Sequence, residues 1–232
     1  MTIKITNAVN TLKHSLLALS LISSFNLLAQ TQVIHAGTLL QVAGDKTLSK
    51  QTLVITDGKI TSIKKGFVNP TDIANDAQLI DLSSSFVMAG LMDMHVHLQG
   101  ELGPKNDSQS LRMSGSDALM QSVFNAKKTL MAGFTTVRDL GASAEQIFAL
   151  RDGIAKGWID GPRIKAAGTS VSVTGGHGDV DGLSPDILAM RTSKTVCDGP
   201  FDCRRATRHA IKYGADLIKI TSTGGVLPDY EK

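Results

Sequence analysis

Cysteine, net charge and long apolar runs are all scarce in this sequence, and each shortage narrows what the chain can be. Only Cys197 and Cys203 are present. They flank the turn-rich run Asp198-Gly199-Pro200-Phe201-Asp202, where an oxidising compartment lets them pair. With no histidine nearby, they otherwise make at most half of a tetrahedral zinc shell. The formal net charge is +3, and Lys4 and Lys13 lie in an N-terminal segment expected to be removed, so the charge balance points to no acidic partner. Arg204, Arg208 and Lys212 recur at every fourth position. Without interleaved aromatics they read as the solvated outer face of a helix, which argues against nucleic acid as a partner. Beyond the N-terminus no stretch is long and apolar enough to cross a bilayer. Internal repeats, low-complexity tracts and linkers rich in proline or glycine are missing as well.

What the N-terminus does contain is Lys4, Lys13 and His14 without any acid, an apolar run from Leu16 to Leu28, and Ala29 before Gln30. This is the pattern of a secretory signal peptide over residues 1–29, with cleavage expected near Ala29. The run is short and serine-rich for a membrane span, which leaves an uncleaved anchor as the alternative, and no cysteine follows it to accept a lipid. The mature chain is therefore expected to be periplasmic or secreted and free of the membrane.

An apolar content of 42% is enough for a packed core. Val33 to Leu40, Leu53 to Thr56 and Lys59 to Ile63 read as strands, the last two joined by the hairpin signal Asp57-Gly58, which predicts a small β-sandwich-type domain over residues 30–85. From Leu91 the rhythm changes. Strand-like runs at Leu91 to His97, Phe134 to Asp139, Arg163 to Gly168 and Leu217 to Thr221 alternate with helical patterns. Ser116 is the expected cap of a helix reaching Met131, with further helices over Ala142 to Lys156 and Phe201 to Tyr213, closed by Gly133, Gly157 and Gly214. This α/β alternation over residues 86–232 predicts a parallel sheet of about four βα units, half of an eight-stranded barrel that typically needs roughly 250 residues. The loop from Gly100 to Ser114 is polar and expected at the surface.

The run Asp93-Met94-His95-Val96-His97 carries the strongest chemical signal. Residues two apart on a strand share a face, so both imidazoles are expected to point one way, and at the C-terminal end of a barrel strand they can grip one metal ion. Asp93 falls on the same alternation. In Ala215-Asp216-Leu217-Ile218-Lys219-Ile220-Thr221, alternation sets Lys219 opposite Ile218 and Ile220, which are expected to pack against helices. Lys219 then either projects into the barrel, where a free cation is costly, or snorkels to solvent from the strand end. Asp139 also ends a strand, where orienting a neighbouring group is its expected role. His177, between Gly176 and Gly178, is a substrate contact, a brace for a metal ligand or an ordinary loop histidine. His35 is expected to be structural.

Val87-Met88-Ala89-Gly90-Leu91-Met92-Asp93-Met94-His95-Val96-His97, Gly133-Phe134-Thr135-Thr136-Val137-Arg138-Asp139 and Gly214-Ala215-Asp216-Leu217-Ile218-Lys219 together resemble the amidohydrolase superfamily across nearly the whole mature chain. Gly175-Gly176-His177-Gly178-Asp179 and Thr223-Gly224-Gly225-Val226 bring it nearer the branch of imidazolonepropionase-like proteins and Xaa-Pro dipeptidases. Ala89 stands where that family usually has proline. The resemblance implies that His95 and His97 bind the more buried metal, that Lys219 is carboxylated and bridges two divalent ions, with zinc the favoured metal, and that His177 and Asp93 touch substrate or support the ligands. It implies hydrolysis of a C–N bond in a small amide or dipeptide by water that the metals make acidic.

The family draws two more histidines and its general base from later strands, none of which lies in this sequence, so this truncated chain is expected to be inactive by itself. One competing expectation is a non-catalytic protein that binds at most one metal; another is a lactonase or phosphotriesterase on the same fold. Half a barrel leaves open edges, which favours pairing into a homo-oligomer.

Overall fold

The computed structural model describes residues 31–100, 112–180, 182, 184–191 and 193–225. The expected leader and most of the loop after Gly100 lie outside these residues. The chain divides between Ala89 and Gly90 into two compact units.

In the first unit, β1 (Thr31–Leu40), β2 (Leu48–Thr56), β3 (Lys59–Lys65) and β4 (Gln78–Met88) form one four-stranded sheet in the order β3-β2-β1-β4. The neighbours β1, β2 and β3 pair antiparallel, while β4 lies parallel to β1. Asp57 and Gly58 join β2 to β3 with φ of 51° and 70°, the left-handed pair that a tight hairpin with the right twist demands. Strand β4 was not expected. Its register against β1 slips between Ala36 and Thr38, whose partners are Leu82 and Phe86. The run Ser83-Ser84-Ser85 bulges there and breaks the polar/apolar alternation that marks a strand in sequence. Gly37 sits opposite the bulge, and a Cβ at that position would run into the Ser83 carbonyl. Ala36, Leu39 and Leu53 form the core of this unit, with Ile34, Ile63 and Val87 against them. The second layer expected of a sandwich is not found among the described residues. His35 is structural: its Nε2 donates to the Val68 carbonyl at 2.8 Å and its ring stacks on Phe67.

The second unit alternates strand and helix: β5 (Leu91–Val96), α1 (Gly115–Met131), β6 (Phe134–Asp139), α2 (Ala144–Ala155), β7 (Arg163–Ala166), β8 (Val171–Ser172), α3 (Pro185–Met190), α4 (Gly199–Lys212) and β9 (Ile220–Thr221). Strands β5, β6 and β7 are parallel, as are β8 and β9. Ser114, not Ser116, caps α1. The Ser114 hydroxyl accepts the Asp117 N–H at 3.2 Å while the Asp117 carboxylate accepts the Ser114 N–H at 3.0 Å, a reciprocal box that Ser116, inside the first turn, is placed too late to make. Gly133, Gly157 and Gly214 follow their helices with φ of 94°, 71° and 109°, the left-handed exit that glycine takes without strain. Ile147 and Leu150 of α2, each 1% exposed, pack with Val137, Ile164, Ala166 and Ala126 into the core between sheet and helices; burying each such side chain contributes roughly 1.5–3 kcal/mol.

Two strands are shorter than expected. The run from Arg163 ends at Ala166, Gly168 turns with φ of 70°, and the chain re-enters a sheet at Val171. The partner segment at 216–221 follows this broken neighbour: the Asp216 N–H donates to the Ala166 carbonyl, and the carbonyls of Lys219 and Thr221 accept from the N–H groups of Val171 and Val173. Only Ile220–Thr221 keeps regular strand geometry. After Val173 the chain makes a long excursion and comes back beside its starting point, where the Cys197 N–H donates to the Ser172 carbonyl at 2.8 Å and Ser172 pairs with Val196. Cys197 and Cys203 are joined in a disulfide with a Cα–Cα distance of 4.9 Å, so neither is a thiolate for a metal. Arg204, Arg208 and Lys212 are exposed on α4. Among the described residues no helix is long and apolar enough to cross a membrane.

Candidate metal centre

His95 and His97 stand at the C-terminal end of β5, and a register irregularity sits just before them. Asp93 pairs with Val137 and Val96 with Asp139, so β5 carries one more residue than β6 over this stretch. Strict alternation therefore does not run from Asp93 to His95, and the shared face expected for them does not follow from spacing. Asp93 instead turns its carboxylate back to accept the His95 N–H at 2.9 Å. From β6, the Arg138 Nε donates to the Met94 carbonyl at 2.7 Å and holds the irregular turn. The two imidazoles are neighbours, with ring centroids 5.4 Å apart and planes tilted by 59°. Both residues are exposed.

His97 is tethered. Its Nδ1 lies 2.8 Å from the Gly141 carbonyl, and because a carbonyl oxygen only accepts, Nδ1 carries the proton and Nε2 keeps a lone pair. Asp139, with no exposure, supports this arrangement: one carboxylate oxygen accepts the Leu98 N–H at 2.8 Å and the other accepts the Gly141 N–H at 3.0 Å. Burial pushes the Asp139 carboxyl above its ordinary range, an effect that these two amides and the nearby imidazoles oppose without cancelling. Asn125 of α1 donates to the Leu98 carbonyl, and Gln99 accepts the Ser143 N–H while its amide reaches Gln146. Arg138, Gly141 and Asn125 were not singled out by sequence reasoning, since each acts through a backbone group that has no sequence signature. The one available signal was glycine two places after a strand-ending aspartate. Beside His97 is a cavity of about 490 Å³ lined by Gln99, Met113, Gln121, Gln146 and Arg191 among others, within the size class of small-molecule sites.

Lys219 is half-buried. Its neighbour Ile218 packs against Val171, Cys197 and Ala206 on the side of α4; because residues 218 and 219 lie before the regular strand, alternation does not fix the face that Lys219 takes. Ile220 does not share that packing: it is 66% exposed, because the regular ladder begins only there and α4 covers the segment further back. Three residues before Lys219, Asp216 anchors the segment by accepting from Arg151 Nη1 at 2.9 Å, Lys165 Nζ at 3.2 Å and the Ala166 N–H at 3.0 Å.

His177 and the Thr223-Gly224-Gly225 run, far apart in sequence, meet. The His177 N–H donates to the Thr223 carbonyl at 2.9 Å, and its imidazole lies so close over Gly225 that a Cβ there would overlap the ring. Among the described residues no three His, Cys, Asp or Glu side chains cluster as a metal shell. His95 and His97 are two such side chains, short of a complete shell. Two adjacent imidazoles, one locked in the tautomer that frees Nε2, fit the inner ligands of a divalent ion.

A family model described as the amidohydrolase family matches residues 86–230. The chain is similar to the ochratoxinase of Aspergillus niger, 29% identical over 220 residues that cover 86% of this chain and 43% of that protein. Among solved structures, a Xaa-Pro dipeptidase with methionine bound in its active site is 37% identical with a TM-score of 0.75, over 84% of this chain and 48% of that one. A prolidase complexed with N-methylphosphonate-L-proline is 31% identical with a TM-score of 0.69, over 85% and 48% respectively. The chain spans less than half the length of each of these proteins.

Proposed function

Because the chain belongs to the amidohydrolase family, we propose that the whole protein is a metal-dependent hydrolase that cleaves a C–N bond in a small amide or dipeptide. In this reading, residues 86–232 form the first half of a (β/α)8 barrel preceded by a small β domain, in a protein exported by a cleaved leader to the periplasm or the exterior. The observation that carries it is the pair His95 and His97 at the end of β5, with His97 Nδ1 donating to the Gly141 carbonyl and Nε2 left free.

His95 and His97 hold one divalent metal ion, and Lys219 carries the second ligand type. Its neutral amine would add to carbon dioxide and lose a proton to become a carbamate, whose single negative charge shared over two oxygens would suit divalent cations that a free ammonium would repel. Divalent ions held there, with two and zinc favoured, would supply Lewis-acid chemistry toward the scissile carbonyl and water. Around that centre Asp93 fixes the His95 amide, Asp139 and Gly141 fix His97, and His177 is held over Gly225 where it can meet the substrate. Two similar structures, a dipeptidase and a prolidase, favour an amide or peptide-like substrate over a lactone or phosphotriester.

The test is to load the full-length protein with Zn2+, measure bound metal by mass spectrometry, and assay Xaa-Pro dipeptides, N-acyl amino acids, a lactone and a phosphotriester. Amide turnover by the loaded protein that is lost in Lys219→Ala and His97→Ala, together with the bound metal, is the expected result. A loaded protein that hydrolyses only the lactone or phosphotriester, or nothing in the panel, overturns the proposal.

A further inference from the structure

We propose that Asp139 is a positioning residue that sets the tautomer and orientation of His97 through two backbone amides, with the N–H and carbonyl of Gly141, on either side of its Cα, as the relay. The inference rests on the reading of His95 and His97 as metal ligands. One buried carboxylate takes hold of both backbone neighbours of the imidazole: Leu98, which follows His97 in the chain, at 2.8 Å, and Gly141, whose carbonyl receives His97 Nδ1, at 3.0 Å. The Leu98 carbonyl, one peptide further on, accepts from Asn125 at 2.9 Å, and the next residue, Gln99, takes the Ser143 N–H at 2.6 Å. His97 thus has little freedom to swing.

The residue type matters. Two N–H donors converge on Asp139, and a carboxylate offers an acceptor to each. Asparagine offers one acceptor and one donor, leaving an N–H facing an N–H. The amide that loses its partner frees either the Leu98 or the Gly141 peptide, and the Nδ1 contact loosens with it. A merely structural aspartate would change stability and leave the ring's proton where it was.

The experiment uses the full-length protein labelled with 15N, first free of metal. Long-range imidazole 15N–1H spectra report which ring nitrogen of His97 is protonated, and titration with Zn2+ against a chromophoric chelator reports affinity. In the wild type His97 is expected in the Nδ1–H form. In Asp139→Asn the Nε2–H form is expected to appear and Zn2+ affinity to fall about 10–100-fold, the usual size of such supporting effects. If that variant does not fold, Asp139→Ser serves: its one hydroxyl oxygen cannot accept from both the Leu98 and the Gly141 N–H groups, and the same two losses are expected. A wild-type His97 in the Nε2–H form refutes the inference without any variant, and so does an Asp139→Asn protein with unchanged tautomer and affinity. If His97→Ala binds Zn2+ as well as wild type, the metal assignment fails instead, and the tautomer spectra still decide the role of Asp139.

Discussion

Replacing Asp216 by alanine removes the acceptor that ties α2, β7 and the Lys219 segment together, and the structure allows the loss to be worked out. The Ala166 N–H, on a residue with no exposure, loses a hydrogen bond to a charged acceptor, which costs about 1.5–3 kcal/mol. Arg151 keeps the Gly214 carbonyl and Asp152 and so loses one partner of three, roughly 0.5–1 kcal/mol. Lys165, 68% exposed, adds next to nothing. The sum is about 3 kcal/mol, a fall in melting temperature on the order of 5–10 °C for a unit of this size. Asp216→Asn keeps an acceptor for Ala166 and is expected to lose about half as much. The pH dependence follows. Burial pushes the Asp216 carboxyl up, but the Ala166 amide, Arg151 and Lys165 more than offset it and leave it below the usual carboxylate range. A group depressed in the folded state stabilises fully above its unfolded value, about 3.9, and loses that contribution as pH falls through the folded value. Urea denaturation at pH 7 and at pH 3 is the assay: the gap between wild type and Asp216→Ala is expected at pH 7 and narrowed at pH 3. A gap under about 0.5 kcal/mol at pH 7, or one equal at both pH values, refutes the reasoning.

Leu150→Ala, at a side chain 1% exposed in the core between sheet and helices, is expected to cost about 2–5 kcal/mol in the same denaturation assay. Opening the bond between Cys197 and Cys203, six residues apart, by mutation of both to serine is expected to remove about 2 kcal/mol through the freedom regained by the unfolded chain; an intact mass that rises on reduction confirms the bond in the isolated protein. Gly225→Ala places a methyl in the space of the His177 imidazole and is expected to shift the His177 ring signals in NMR spectra while the helical circular dichroism signal holds.

The features legible in the sequence are those set by local chemistry. Asp57-Gly58 declares its hairpin because both positions need positive φ, and Gly133, Gly157 and Gly214 declare helix ends for the same reason. Strand β6 could be read residue for residue because it is bounded by Gly133 and by the polar Asp139. What stayed hidden depends on partners. The serine run in β4 makes sense only against Gly37 of β1; the cap of α1 is a different case, since Asp117 three places after Ser114 is a box the sequence does show. At the site, the residue types were legible and their support was not. His95, His97, Lys219 and His177 stand out by kind and spacing, whereas the bonds around His97 run through the backbone of Gly141 and Leu98 and those around His95 and His177 through their own amides. The extra residue in β5 also lies beyond pattern reading, since only the count against β6 reveals it.

The excursion that leaves the sheet at Val173 returns beside Ser172, its exit and re-entry held together by the pairing with Val196 and by the Cys197 amide. Once the two ends of a loop are pinned to each other, its length is uncoupled from the frame that carries it, and doubling the number of residues costs only about 0.6 kcal/mol in closure entropy. His177 rides on this excursion, while His95, His97 and Lys219 belong to the frame. The arrangement separates two rates of evolutionary change. Insertions and deletions between 178 and 195 can accumulate there, generation after generation, without asking any of the other three to move.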